Sequence, residues 1–138
     1  MLTIGGNDGP CEKCVDRMTL ILLVEDDVDS RENLAAVLRS EGHEVVTAAN
    51  GQEAHQYLSS AATLPSVILL DLMMPVMDGW RFRWRQVQQS HLAAIPVVLL
   101  SGESDVREAA TSLGAAAYLS KPINPGALLA TLEHACPH

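Results

Sequence analysis

Cysteines, basic residues and long apolar runs are all scarce in this chain, and each shortage excludes a class of protein. Three cysteines among 138 residues make a poor disulfide framework, so we expect them to be reduced. Nine basic residues against seventeen acidic ones give a net charge of −8, which argues against nonspecific binding to nucleic acid. No apolar run approaches the roughly 20 residues of a membrane-spanning helix. The start, MLTIGGNDGP, lacks the basic and apolar regions of a secretory signal, so we expect a cytoplasmic protein without membrane contact.

Apolar residues, by contrast, are plentiful. Hydrophobic residues make up 48% of the chain and charged residues 19%, which is typical of a globular protein rather than a disordered one. The length suits one domain with one hydrophobic core. Residues 1–18 contain glycine, asparagine and proline without periodicity, so we predict a flexible N-terminal arm there and a single domain over residues 19–138.

Strand-like and helix-like segments alternate from Thr19 onward. The predicted strands are LILLV (20–24), EVVTA (44–48), SVILLD (66–71), PVVLLS (96–101) and AYLS (117–120). The predicted helices are SRENLAAVLRSEG (30–42), GQEAHQYLSSAA (51–62), GWRFRWRQVQQ (79–89), SDVREAATSLG (104–114) and NPGALLATLEHA (124–135). Strict alternation implies right-handed βαβ units, hence an α/β fold with a doubly wound five-stranded parallel sheet and helices on both faces.

Polar residues stand at the carboxyl ends of four predicted strands. Glu25–Asp27 follow the first strand, Asp71 ends the third, Ser101 ends the fourth and Lys121 follows the fifth. Ligands of such sheets bind beyond the carboxyl ends of the strands, so we expect these side chains to converge. Carboxylates that meet repel one another, and a hard divalent cation with oxygen ligands would resolve this. The alternative is a set of unrelated, solvated loop residues.

Four segments of the chain occur in this order: LLVEDD, LLDLMMPVMDGW, PVVLLSG and YLSKPI. With these segments, residues 19–135 resemble the receiver domain of bacterial two-component response regulators. The resemblance implies a flavodoxin-like (βα)5 fold with strand order 2-1-3-4-5. It implies that Asp71 is the phosphoacceptor. It also implies that Mg²⁺ (or Mn²⁺) is held by Glu25, Asp26, Asp71 and the backbone carbonyl of Met73. Asp27 is a weaker candidate for the metal site.

The resemblance also assigns roles at the last two strands. Lys121 and Ser101 would neutralise the phosphoryl oxygens, and the Lys121–Pro122 peptide bond would be cis. Ser101 and Tyr118 would form the switch: Ser101 moves towards the new oxygens, and Tyr118 turns inward to fill the vacated space. The surface made by residues 104–114, 117–120 and 124–135 would change as a result.

The resemblance implies that the protein is a signalling switch and not an enzyme. It would promote only its own phosphorylation and slow dephosphorylation. It would receive the phosphoryl group from a histidine kinase or a histidine phosphotransfer protein and change its affinity for an unknown downstream protein. We expect no DNA-binding output domain and no nucleic-acid partner; a phosphorylation-dependent homodimer is left open. The alternatives are a receiver fragment of a larger response regulator or hybrid histidine kinase, and a phosphorylation-independent interaction domain. An Mg²⁺-dependent aspartyl phosphatase is disfavoured, because Met73 cannot serve as its general acid.

Two further motifs have a plain and a functional interpretation. Trp80 and Trp84 lie four residues apart among arginines. We favour packing of Trp80 and Phe82 on the sheet edge with a solvated arginine face, and the alternative is a partner-docking patch. CEKC (11–14) has the spacing of metal and redox sites, but we favour free thiols over a zinc clip with HACPH (134–138).

We predict slow loss of the phosphoryl group, because Met73 cannot orient an attacking water and Glu103 lies where the family tunes hydrolysis. The phosphorylated protein, once desalted into Mg²⁺, should keep its label well beyond seconds when followed by intact mass. Decay within seconds would show that the prediction is wrong.

Overall fold

Helices and strands alternate along the described chain, except that two helices follow the third strand. The computed structural model describes residues 20–72, 78–102 and 106–135. In those residues the elements are β1 Leu20–Val24, α1 Val28–Ser40, β2 Glu44–Ala48, α2 Gly51–Ser60, β3 Val67–Asp71, α3 Gly79–Val87, α4 Ser90–Ala93, β4 Val97–Ser101, α5 Val106–Leu113, β5 Ala117–Ser120 and α6 Pro125–Ala135. Among these helices none is both long and apolar enough to cross a bilayer.

The predicted elements agree closely with the structure. Each observed strand begins within one residue of its predicted start and ends where predicted. The first helix begins at Val28, two residues earlier than predicted, and the short helix α4 was not predicted at all. The proposed N-terminal arm, Met73 and Glu103 lie outside the described residues.

All five strands form one parallel sheet in the order β2-β1-β3-β4-β5, which confirms the predicted fold class. The register pairs Val24 with Leu70, and Ser101 with Ser120. The carboxyl ends of the strands are therefore nearly level. Every polar residue at a strand end is brought to the same edge of the sheet.

Apolar residues of the strands belong to two separate core layers, because successive side chains point to opposite faces of the sheet. One layer lies under α2, α3, α4 and α5, and its helix residues include Ala54, Leu58, Phe82, Leu92 and Ala109. The other lies under α1 and α6 and includes Leu34, Leu38, Leu128 and Leu132. β3 and β4 are buried along their whole length, which places Asp71 and Ser101 at the ends of the two most enclosed strands.

Several helices begin at a side chain that accepts a backbone N–H from the first turn, which satisfies a donor that the helix itself cannot. Asn50 Oδ1 accepts from Glu53 N at 2.9 Å, and the Glu53 carboxylate accepts from Ala49 N in return. α1, α3 and α6 start in the same way, at Asp27, Asp78 and Asn124. The caps fix where each helix leaves the edge of the sheet.

Helix α3 is tied to its neighbours by polar contacts on its inner side. The Arg83 guanidinium donates to the carbonyl oxygens of Leu113 at 2.9 Å and Gly114 at 3.2 Å, at the end of α5. It also donates to the buried Gln86, whose Nε2 donates to Leu92 O at 2.7 Å. Arg83 is thus a structural residue, and the expectation that the arginines of this helix form a solvated face is wrong for it.

The first residue of α3 lies directly against β3. Gly79 N donates to Leu72 O at 2.9 Å. A Cβ at Gly79 would lie 2.8 Å from Asp71 O and 2.9 Å from Leu72 Cα, closer than such atoms can approach. Glycine is therefore required where α3 meets the backbone of Asp71 and Leu72.

We predict that Gly79→Ala destabilises the protein by about 1 to 3 kcal/mol, because the added methyl group collides with backbone that cannot move aside cheaply. Chemical denaturation measures the change. The matched control is Gly102→Ala, whose Cβ would meet no described atom within 4 Å and should change the free energy of unfolding by less than about 0.5 kcal/mol. Equal stability of the two variants would contradict the described contact.

Candidate functional site

Three carboxylates meet at the carboxyl edge of the sheet. Glu25 and Asp26 follow β1 and Asp71 ends β3, and one oxygen of each lies within 4.8 Å of the others. Glu25 and Asp71 are buried, whereas Asp26 is exposed. We call these three residues the acidic cluster. Its members are the three carboxylates that the family resemblance assigned to the metal site, without the weaker candidate Asp27.

Lys121 reaches the acidic cluster from the end of β5. Its Nζ lies 2.9 Å from Glu25 Oε1 and 3.3 Å from Asp71 Oδ2. Burial alone would lower the pKa of the Lys121 ammonium, but its hydrogen bond to Glu25 and the charges of Asp71 and Glu25 outweigh it and raise that pKa. One cation therefore bridges the two buried carboxylates and stays protonated at neutral pH.

The backbone around Glu25 is held on both sides. Its N–H donates to Ala48 O of β2 at 3.0 Å, and Arg31 Nη1 of α1 donates to its carbonyl at 3.0 Å. The side chain is oriented as well, since Asp27 N donates to Glu25 Oε2 at 3.2 Å. Sequence reasoning missed Arg31; its only signal was its place just after the acidic run.

Asp27 has a different role from its two neighbours. Its carboxylate caps α1, accepting from Ser30 N at 2.9 Å, and it is not a member of the acidic cluster. The backbone hydrogen bond from Ser30 lowers the pKa of the exposed Asp27 carboxyl. The idea that all three consecutive carboxylates surround a cation is thus corrected: two join the cluster, and the third starts a helix.

The two residues assigned to a switch differ in their surroundings. Ser101 is fully buried at the end of β4, one strand away from Asp71. Tyr118 on β5 is exposed, and its hydroxyl accepts from Arg107 Nε of α5 at 3.4 Å. No signal in the sequence identified Arg107 as the partner of Tyr118, because the contact depends on how α5 packs beside β5.

The turn after Lys121 shapes one side of the site. The Lys121–Pro122 peptide bond is cis. A cavity of about 500 Å³ opens beside the cluster between this turn and α1, and its lining includes Glu25, Asn33, Lys121 and Ile123. The cavity therefore borders Glu25 and Lys121 of the site on the side of α1. Met73, assigned a carbonyl ligand by resemblance, lies outside the described residues.

Known proteins are similar to this chain in both sequence and fold. A family model described as the response regulator receiver domain matches residues 21–133. The phosphate regulon transcriptional regulatory protein PhoB of Pseudomonas aeruginosa is 34% identical over 115 residues, which are 82% of this chain and 49% of PhoB. Response regulator Rre1 of Synechocystis is 35% identical over 117 residues, which are 83% of this chain and 50% of that protein. The chain spans about half the length of these curated relatives.

The likeness extends to solved structures. Chemotaxis protein CheY4 of Vibrio cholerae, in a crystal structure, is 34% identical and superposes with a TM-score of 0.78, covering 86% of this chain and 98% of CheY4. The matched residues include the carboxyl edge of the sheet with its acidic cluster and Lys121. This chain belongs to the receiver domain family of response regulators.

Proposed function

We propose that this receiver domain accepts a phosphoryl group on Asp71 from a phosphohistidine of a kinase or phosphotransfer protein, and that the modified domain changes its affinity for a partner protein. Receiver domains are signalling switches and not enzymes in the ordinary sense. The observation that supports this proposal is the position of Lys121 Nζ, 2.9 Å from Glu25 and 3.3 Å from Asp71, within a cluster of three carboxylates. Lys121 thus places a positive charge beside the carboxylate that would carry the phosphoryl group.

The donor atoms of the acidic cluster fit a hard divalent cation. Three ionised carboxylates around one ammonium leave an excess of two negative charges, and all the ligand atoms are oxygen. Glu25 and Asp71 are fixed in position and Asp26 faces solvent, an arrangement that suits Mg²⁺ (or Mn²⁺) because this ion usually keeps several waters. When bound, the cation would neutralise phosphoryl oxygens next to Asp71. The Met73 carbonyl remains the further ligand that the family resemblance implies.

Asp71 would act as the nucleophile. An ionised carboxylate needs no base to remove a proton before it attacks. A carboxylate oxygen forms a bond to phosphorus while the phosphorus–nitrogen bond of the donor histidine breaks, and the imidazole leaves with the bonding electron pair and takes up a proton. The transfer itself depends on positioning and on neutralised oxygens. Lys121, already beside Asp71, and Ser101, at the end of the next strand, would supply that positive charge and a hydroxyl donor.

Phosphorylation would alter the protein at a distance through Ser101 and Tyr118. The new group adds negative charge and acceptor oxygens, which attract the Ser101 hydroxyl. Tyr118 is exposed and bonded to Arg107 in this structure, so turning inward would break that bond. The surface of α5, β5 and α6 would then present a different shape and charge to a partner protein or a second copy of the chain.

We predict that the full chain incubated with acetyl phosphate and Mg²⁺ gains one phosphoryl group by intact mass, and that Asp71→Asn gains none. Asp26→Asn should raise the Mg²⁺ concentration needed by about tenfold or more, because it removes an ionised ligand. The matched control is Asp27→Asn, since asparagine caps a helix equally well and Asp27 lies outside the cluster. Labelling of Asp71→Asn would overturn the assignment, and no labelling at all would favour a phosphorylation-independent interaction domain.

We also predict that Lys121→Met loses about 1 to 3 kcal/mol of stability in metal-free buffer at neutral pH, less than a fully buried pair because Lys121 is partly exposed. Two buried carboxylates would then lack their counter-charge. Mg²⁺ should restore part of the lost stability, because it binds the folded cluster. Denaturation of Lys121→Arg, which keeps the charge, is the control. A Lys121→Met variant as stable as the original protein would show that Lys121 does not compensate the cluster.

A further inference from the structure

Helix α3 carries a stripe of large apolar side chains that face solvent. Trp80, Trp84 and Val87 are 43%, 64% and 43% exposed. Their spacing of four and three residues places them on one side of the helix. Phe82 and Gln86 occupy the opposite, buried side. The stripe therefore lies on the outer surface of α3, and its side chains are not packed in the core.

The stripe is unusual for this protein. It contains three of the five large hydrophobic residues exposed in the described part of the chain, and both of the chain's tryptophans. Scattered exposed apolar residues are ordinary, but a contiguous set is informative. The fold does not require these side chains, because α3 is anchored through Phe82, Gln86 and Arg83. Tryptophan and arginine are the residues that most often dominate the energy of protein interfaces.

Two arginines that bond to no other residue in the described part of the chain flank the stripe. Arg81 and Arg85 are exposed, and neither guanidinium bonds to any residue that the structure describes. The other basic side chains within the described ranges all make contacts: Arg31, Arg39, Arg83, Arg107 and Lys121. In a protein of net charge −8, the two described guanidinium groups that make no hydrogen bond within the described residues therefore both lie beside the exposed tryptophans.

We propose that the α3 face, defined as Trp80, Arg81, Trp84, Arg85 and Val87, binds an acidic amphipathic helix of a partner protein. A ridge of side chains with helical spacing packs naturally into the groove of a second helix. Leucine-type residues of the partner would cover the tryptophans and Val87. Aspartate or glutamate residues at its flank would pair with Arg81 and Arg85, which supplies both orientation and attraction.

Charge distinguishes this occupant from the other candidates. A symmetric contact with a second copy would place Arg81 and Arg85 against the same arginines of that copy, and the two copies would also repel through their net charges of −8. On the α3 face, nucleic acid would meet two unbonded arginines of the described residues on an acidic protein, fewer than the several phosphate contacts that support such binding. An acidic helix matches both the shape and the sign of the surface.

This inference goes beyond the proposed function, because none of the five residues belongs to the acidic cluster. Binding at the α3 face needs no acyl phosphate. It should therefore occur with the unmodified chain and with Asp71→Asn alike. A failure of phosphorylation leaves the docking surface intact, and a failure of docking leaves the phosphoacceptor intact.

The test uses two synthetic helical peptides, one with a leucine ridge flanked by glutamates and its twin with lysines in place of the glutamates. Fluorescence anisotropy of the labelled peptides measures binding to the full unphosphorylated chain. The acidic peptide should bind at least about tenfold more tightly than its twin. Trp84→Ser, and separately the double variant Arg81→Glu with Arg85→Glu, should each weaken binding of the acidic peptide by about tenfold or more. Both tryptophans lie on the face, so binding should also shift the intrinsic tryptophan emission to shorter wavelength.

The matched control is Val28→Ser, which truncates an exposed apolar residue on α1, across the sheet, and should bind the acidic peptide as the original chain does. Equal affinity for the two peptides would overturn the proposal, as would binding that leaves the tryptophan emission unchanged. Self-association in sedimentation that is lost in Trp84→Ser would assign the face to a second copy instead. Binding of a DNA duplex that is lost in the same variant would assign it to nucleic acid.

Discussion

The contact of one ammonium with two buried carboxylates is the constraint around which the rest of the site is arranged. Glu25 and Asp71 lie at the ends of neighbouring strands with little access to water, and their mutual repulsion is costly there. The ammonium of Lys121 compensates this repulsion, although Lys121 follows β5, two strands away from β3. The parallel sheet makes this possible, because it brings three distant parts of the chain to one edge. With the exposed Asp26 beside this contact, three carboxylates lie next to one ammonium.

Much of this could be predicted from the sequence, since it depends on periodicity and order. The apolar runs of β1, β3 and β4 and their alternation with helices determine the sheet, and the strand ends determine which polar residues meet. The role of Asp27 was less accessible, because a carboxylate beside two metal-site candidates looks the same whether it binds a cation or caps a helix. Only the start of α1 at Val28 distinguishes them.

Contacts between helices were the least predictable. Arg83 sits among arginines that share its charge and spacing, yet it alone reaches the carbonyl oxygens at the end of α5. Arg107 and Tyr118 are likewise joined only after α5 has packed beside β5. Such pairings depend on distances between elements, which a local sequence pattern does not encode. The exposure of Trp80 has the same origin, for Phe82 already fills the space under α3.

Because Gly79 has no side chain, the first residue of α3 lies directly against the backbone of Asp71 and Leu72. The helix rests on the carbonyl of Asp71 at its first residue and presents the outward tryptophans over the next two turns. When such a helix tilts as one body, movement of the tryptophans is accompanied by movement of Gly79 against Asp71. A ligand that favours one position of the helix would thus favour one position of the Asp71 backbone, and thermodynamic reciprocity would couple its affinity to that of a second ligand bound at this carboxylate.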